Sequence, residues 1–180
     1  MNKLRLLAFL LLAAFFIQSC KKDTIVGTAY TTKPFQANIN GSVWAPDTIS
    51  NTITYTGSAQ TKVFTLIGTK AQKQVIMTIK LSNATNTPGF TLGTYDVDAT
   101  SVIVSYNTQV YSGGQYVFLP HGTVSAGSGS IIVTAVDSVK KQITGTFNFY
   151  SRSTATDGSV TVDNILGGEF TSLPYTFTSN

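Results

Sequence analysis

The sequence predicts an all-β protein, an antiparallel sandwich or a barrel-like meander of about 8–11 strands. Three observations carry this expectation. Beyond the first twenty positions, apolar and polar residues alternate at period two, and no window shows the 3, 4, 7 spacing of an amphipathic helix. Turn signals built from Gly, Asn, Asp and Pro recur at about 8–12-residue intervals. Threonine supplies about one residue in six after residue 19, and β-branched side chains suit pleated, half-solvated surfaces. Periodicity alone does not choose between sandwich and barrel.

The elements follow in order. In FQANINGSVWA, Phe35, Ala37 and Ile39 alternate with Gln36 and Asn38, and Asn40-Gly41 supplies the two positive-φ positions of a type I′ hairpin turn. Pro46 closes the returning strand because it has no N–H to donate to a ladder. Residues 48–55 are rich in β-branched side chains, and 62–67 make a strand that ends at Gly68. The clearest alternation lies in 73–81, where Val75, Met77, Ile79 and Leu81 face one way and Gln74, Thr78 and Lys80 the other. A turn cluster at 83–89 precedes strands at 90–95 and 101–106. Gly113-Gly114 and Pro120 bracket a strand at 115–119, and 121–130 mixes a short strand with a turn. Strands at 130–136 and 142–150 follow, the second placing Ile143, Phe147 and Phe149 on one face. Asp157-Gly158 turns the chain into strands at 159–165 and 168–171.

The start of the chain reads as an address. Lys3 and Arg5 precede an apolar run from Leu6 to Ile17, which is shorter than the roughly 20 residues of a membrane span and has the form of a secretory signal. The run ends at Ile17-Gln18-Ser19-Cys20. This segment resembles the lipobox of bacterial lipoproteins, although Gln18 stands where a small residue is usual. The resemblance implies cleavage after Ser19, a diacylglyceryl thioether on Cys20 and acylation of the new N-terminus. Two or more acyl chains give stable anchoring. The expected organisation is a cleaved signal peptide at 1–19, a lipidated cysteine and tether at 20–33, and a single β-domain at 34–180.

Composition excludes several function classes. The chain has 180 residues, with one Cys, one His, one Trp and charged residues at only 11%. One cysteine cannot make a disulfide framework, and one Cys with one His cannot make a zinc cluster. Removing 1–19 takes away Lys3 and Arg5 and lowers the formal charge from +4 to +2. The remaining lysines, among them Lys62, Lys70, Lys73 and Lys80, are scattered, so no clustered footprint for nucleic acid appears.

The chain also resembles an uncharacterised lipoprotein domain family of the Bacteroidota. The residues carrying the likeness are Phe35–Gly41 with Trp44, then Pro88-Gly89 with Gly93-Thr94-Tyr95. Ile143–Phe149 and Gly168-Glu169-Phe170 complete it. Cys20-Lys21-Lys22-Asp23 is typical of lipoproteins in that phylum. The resemblance implies a small all-β lipoprotein and no activity. The expected location is the outer membrane, on either face, and no cofactor is expected.

Candidate chemistry is sparse. A catalytic His121 needs a nucleophile and a carboxylate partner, and no local motif supplies them. Asp96 and Asp98 form an Asp-x-Asp pair that a strand would place on one face, a fragment of a calcium site. Asp137, Asp157, Asp163 and Glu169 are not paired by any local spacing. Tyr106, Tyr111 and Tyr116 recur at five-residue intervals and are the candidate ligand-binding residues: as exposed rings they would stack on sugars or anchor a partner, and otherwise they cover strand ends or the core rim. Trp44 is expected in the core. The resulting expectation is a non-enzymatic, membrane-anchored module that binds a glycan or envelope protein or supports an envelope assembly. The alternatives are a carbohydrate-binding or adhesive surface module and a hydrolase with a non-standard site.

Overall fold

A computed structural model describes residues 33–180, and every described element is a strand. There are twelve among the described residues: β1 (Phe35–Ile39), β2 (Ser42–Trp44), β3 (Thr48–Thr56), β4 (Thr61–Lys70), β5 (Lys73–Leu81), β6 (Gly93–Asp96), β7 (Val102–Ser112), β8 (Gln115–Pro120), β9 (Gly129–Asp137), β10 (Gln142–Thr154), β11 (Val160–Pro174) and β12 (Thr176–Ser179). They form two six-stranded sheets, ordered β2-β1-β11-β10-β9-β6 and β12-β3-β4-β5-β7-β8. All neighbours pair antiparallel except β12, which lies parallel to β3. The architecture is therefore a two-sheet sandwich with open edges, not a closed barrel.

The first hairpin forms as the sequence dictates. Asn40 and Gly41 have φ of 53° and 83°, and Ala37 pairs with Trp44 across the turn. Other boundaries differ from expectation. β4 runs through Gly68 to Lys70, because that glycine is needed inside the strand: a Cβ there would lie 2.4 Å from the Phe35 ring and 3.0 Å from Trp44. Such a glycine marks close approach rather than a strand end. β6 begins only at Gly93; Phe90 precedes it and packs into the core. β7 extends to Ser112, and Thr123 makes a single bridge to Arg152 in place of a short strand.

The two expected strands near the C-terminus are one. β11 carries two bulges against β10, so that Phe147 pairs with Gly168 but Phe149 with Ile165, and Gly145 pairs with Phe170 but Ile143 with Leu173. Each bulge inserts one residue and shifts the in–out parity by one. Gly167 and Ser172, with φ of 55° and 47°, absorb the distortion. The inward set becomes Asp163, Ile165, Gly168, Phe170 and Leu173, all buried. A strict period of two cannot follow that spacing.

The two sheets pack face to face through β4. Along β4, Lys62 bonds the carbonyl of Gly89 just ahead of β6, Phe64 packs on Phe170 of β11, and Gly68 lies under Phe35 of β1 and Trp44 of β2. One strand thus packs against β11, β1 and β2 of the first sheet. Phe35, Phe64, Phe147, Phe149 and Phe170 fill the space between, each at 1% exposure or less. Burial of such a side chain contributes about 1.5–3 kcal/mol. Edge-to-face contacts such as Phe35 with Trp44, at 5.7 Å, add direction.

Candidate functional site

The three tyrosines do not form one surface. Five residues is an odd step along a strand, so Tyr106 and Tyr111 of β7 point to opposite faces. Tyr106 turns inward with Val102 and Val104 and is 4% exposed, a core position that takes it out of the candidate binding surface. Tyr111 and Tyr116 stand opposite each other across the β7–β8 hairpin, each 67% exposed, with ring centroids 5.2 Å apart and planes at 65°. Gly113 and Gly114, with φ of 59° and 84°, close the hairpin between them.

This hairpin meets a second feature. The Gln109 amide donates to the Gln72 carbonyl in the β4–β5 turn, and Lys73 pairs with Thr108. The turn and edge strand β2 border a cavity of about 430 Å³, lined by Val43, Trp44, Lys70, Gln72 and Lys73 among others. Lys70 and Lys73 sit directly opposite each other, an arrangement that costs stability when no acid intervenes. Val43 is 80% exposed beside them. Trp44 is buried, as expected for a core residue, and its indole Nε1 has no acceptor.

Sequence reading left His121 without a partner, and the fold provides one. Its Nδ1 lies 2.6 Å from Asp163 Oδ2, and Asn40 Nδ2 donates to Asp163 Oδ1 at 2.7 Å. Asp163 is 4% exposed on the inner face of β11, and the His121 side chain is 42% exposed above it. Tyr106 contacts the imidazole edge-to-face at 5.9 Å. Burial, and then the Asp163 charge, raise the Tyr106 hydroxyl above its ordinary pKa. A carboxylate only accepts, so a neutral His121 carries its proton on Nδ1. The neighbouring hydroxyl is turned elsewhere, since Ser151 Oγ donates to the His121 main-chain carbonyl at 2.5 Å. The arrangement orients an imidazole and ties the 121–123 segment to β10 and β11. Among the described residues no hydroxyl is hydrogen-bonded to the ring.

Among the described residues the other carboxylates do not gather into a cluster. Asp96 ends β6, whereas Asp98 lies beyond it and accepts from the amides of Thr100, Ser101 and Val102 at 2.7–2.8 Å. Those bonds hold its pKa down to about 2. Asp137 caps the β9–β10 turn, Asp157 bonds the Ser159 amide, and Glu169 accepts from Gln36 Nε2. No group of three His, Cys, Asp or Glu side chains comes together among the described residues. Cys20 and the expected signal peptide at 1–19 lie outside the described residues.

No curated protein and no solved structure matches the chain. A family model matches residues 31–174, from just ahead of β1 to the last residue of β11. The chain therefore belongs to the family described as Domain of unknown function (DUF6252).

Proposed function

We propose that the protein is a lipid-anchored outer-membrane module that acts by binding, and that the β7–β8 hairpin is its contact surface. The observation that carries this reading is the Tyr111–Tyr116 pair, two large rings left exposed side by side on a hairpin fixed at its base. Tyrosine supplies broad contact area with few rotors to freeze, which is why it recurs in binding hot spots. The sequence supports the anchor through Cys20 and leaves 21–33 as tether before β1. A binding role also fits the engagement of Ser151 with main chain rather than with His121. Photo-crosslinking from residue 111 in intact cells tests the reading. A partner captured by the wild type and lost in Tyr116→Ala supports it; identical capture by both, or none, overturns it. Cys20→Ala should release the protein from the membrane fraction and abolish lipid labelling.

A carbohydrate ligand is the second reading. It is favoured by the cavity beside the hairpin, where Lys70 and Lys73 would suit an acidic sugar. Titration calorimetry against neutral and uronic-acid oligosaccharides separates it from a protein partner.

A further inference from the structure

We propose that the cavity beside Lys62 is a binding site for a small anion, a carboxylate or phosphate on a compact body, with the Lys62 ammonium as its counter-charge. Lys62 shares the inner face of β4 with Phe64 and Leu66 and is only 4% exposed. Its Nζ donates to Thr87 Oγ1 at 3.1 Å and to the Gly89 carbonyl at 2.8 Å. Both acceptors are neutral, and an ammonium has three hydrogens to place. The ion pairs among the described residues are His121 with Asp163 and Lys140 with Asp137, so no carboxylate stands within 4 Å of Lys62. A buried charge without a counter-charge is costly. Desolvation accordingly lowers the Lys62 pKa.

The cavity that Lys62 lines holds about 250 Å³ and opens to solvent. Ser82, Asn83, Thr85 and Thr91 line it as well, all able to donate a hydrogen bond, and no acidic residue does. An anion there would meet the third ammonium hydrogen and neutral donors without repulsion. A neutral ligand would leave the charge uncompensated, and a cation would add to it. The volume suits a single carboxylated sugar or a phosphate group rather than a polymer. The site lies near β6, on the side of the sandwich away from the tyrosine hairpin, and is independent of the binding role given to that hairpin.

The test titrates the purified full-length protein with sodium phosphate, acetate and galacturonate against sodium chloride at matched ionic strength. Thermal unfolding midpoint and amide NMR shifts across the protein are read together. The expected result is a saturable rise in midpoint, with shifts concentrated around Lys62 and 81–91, for at least one anion. The phosphate and carboxylate arms identify which group the site takes. Lys62→Met should weaken that binding at least about tenfold, whereas Lys62→Arg retains part of it. If Lys62→Met does not fold, Thr91→Val carries the test: binding weakened severalfold supports the site, and unchanged binding overturns it. No saturable response to any anion, or an equal response in Lys62→Met, also overturns it.

Discussion

Asp163 and His121 meet at 2.6 Å between β11 and the segment after β8, although 42 residues separate them in the chain. Truncating Asp163 to Ala would leave both the imidazole N–H and Asn40 Nδ2 without their acceptor. The expected cost is about 1–3 kcal/mol in urea unfolding at neutral pH. His121→Ala should cost a similar amount, and the double variant clearly less than the two together, because both remove the same contact. Additive losses would show that the two residues are not energetically coupled. Nitrogen NMR should find the neutral imidazole protonated on Nδ1.

Glycine placement yields a graded prediction. Gly145 faces Phe170 and Gly168 faces Phe147 across the same strand pair, each glycine making room for the ring opposite. A Cβ on Gly145 would lie 2.2 Å from the Ile132 carbonyl oxygen as well as 2.4 Å from the Phe170 ring. On Gly168 the three nearest atoms all belong to the Phe147 ring, at 2.4–2.5 Å. A ring can tilt and a ladder carbonyl cannot. Gly168→Ala should therefore cost about 1–3 kcal/mol, as overpacking usually does, and Gly145→Ala measurably more. Equal denaturation midpoints for the two would contradict this account.

Strands with regular alternation were legible in the sequence, and the features that carry chemistry were not. β5 and the first hairpin alternate without interruption, and they form where expected. β11 inverts the rule near its start: Val160 and Val162 face outward, and Asp163 faces in. Two bulges then move the parity twice, which made one strand read as two. The Asp163–His121 pair was hidden because no local spacing links residues 42 apart. Lys62 was different, because its parity with Phe64 and Leu66 already placed it on the inner face. Counting parity along 62–66 would have found it, as counting from Tyr106 to Tyr111 would have separated those tyrosines. β12 escaped notice because four short polar-alternating residues have too little pattern to stand out.

The tyrosines should separate experimentally as they do in space. Tyr106→Ala removes a buried ring from beneath His121 and should cost about 3–5 kcal/mol, the range for deleting a large core aromatic. Tyr111→Ala and Tyr116→Ala lose mainly a cross-strand contact, worth about 0.2–1 kcal/mol. If the hairpin is the contact surface, those two variants stay within about 4 °C of the wild-type thermal midpoint and lose the partner. A large stability loss in either would mean that the pair holds the hairpin together rather than waiting for a ligand.

Asp98 gives a pH dependence whose sign is fixed by its hydrogen bonds. Three backbone amides hold its carboxyl at about 2, below the ordinary 3.8. Between those values the unfolded chain binds more protons than the folded one, so stability rises with pH across that window. The contribution is complete above the unfolded value and is lost as pH falls toward about 2. Asp98→Asn keeps an oxygen that can accept the same amides but removes the charge. The stability difference between wild type and Asp98→Asn should therefore be largest near pH 5–6 and shrink steadily toward pH 2, measured by urea unfolding at fixed ionic strength. Because Asp98 is on the surface, added salt should reduce the difference at neutral pH and narrow the acid window with it, since a smaller contribution means a smaller pKa shift. A difference that stays constant from pH 6 to pH 2 would mean that the turn needs the shape of the side chain and not its charge.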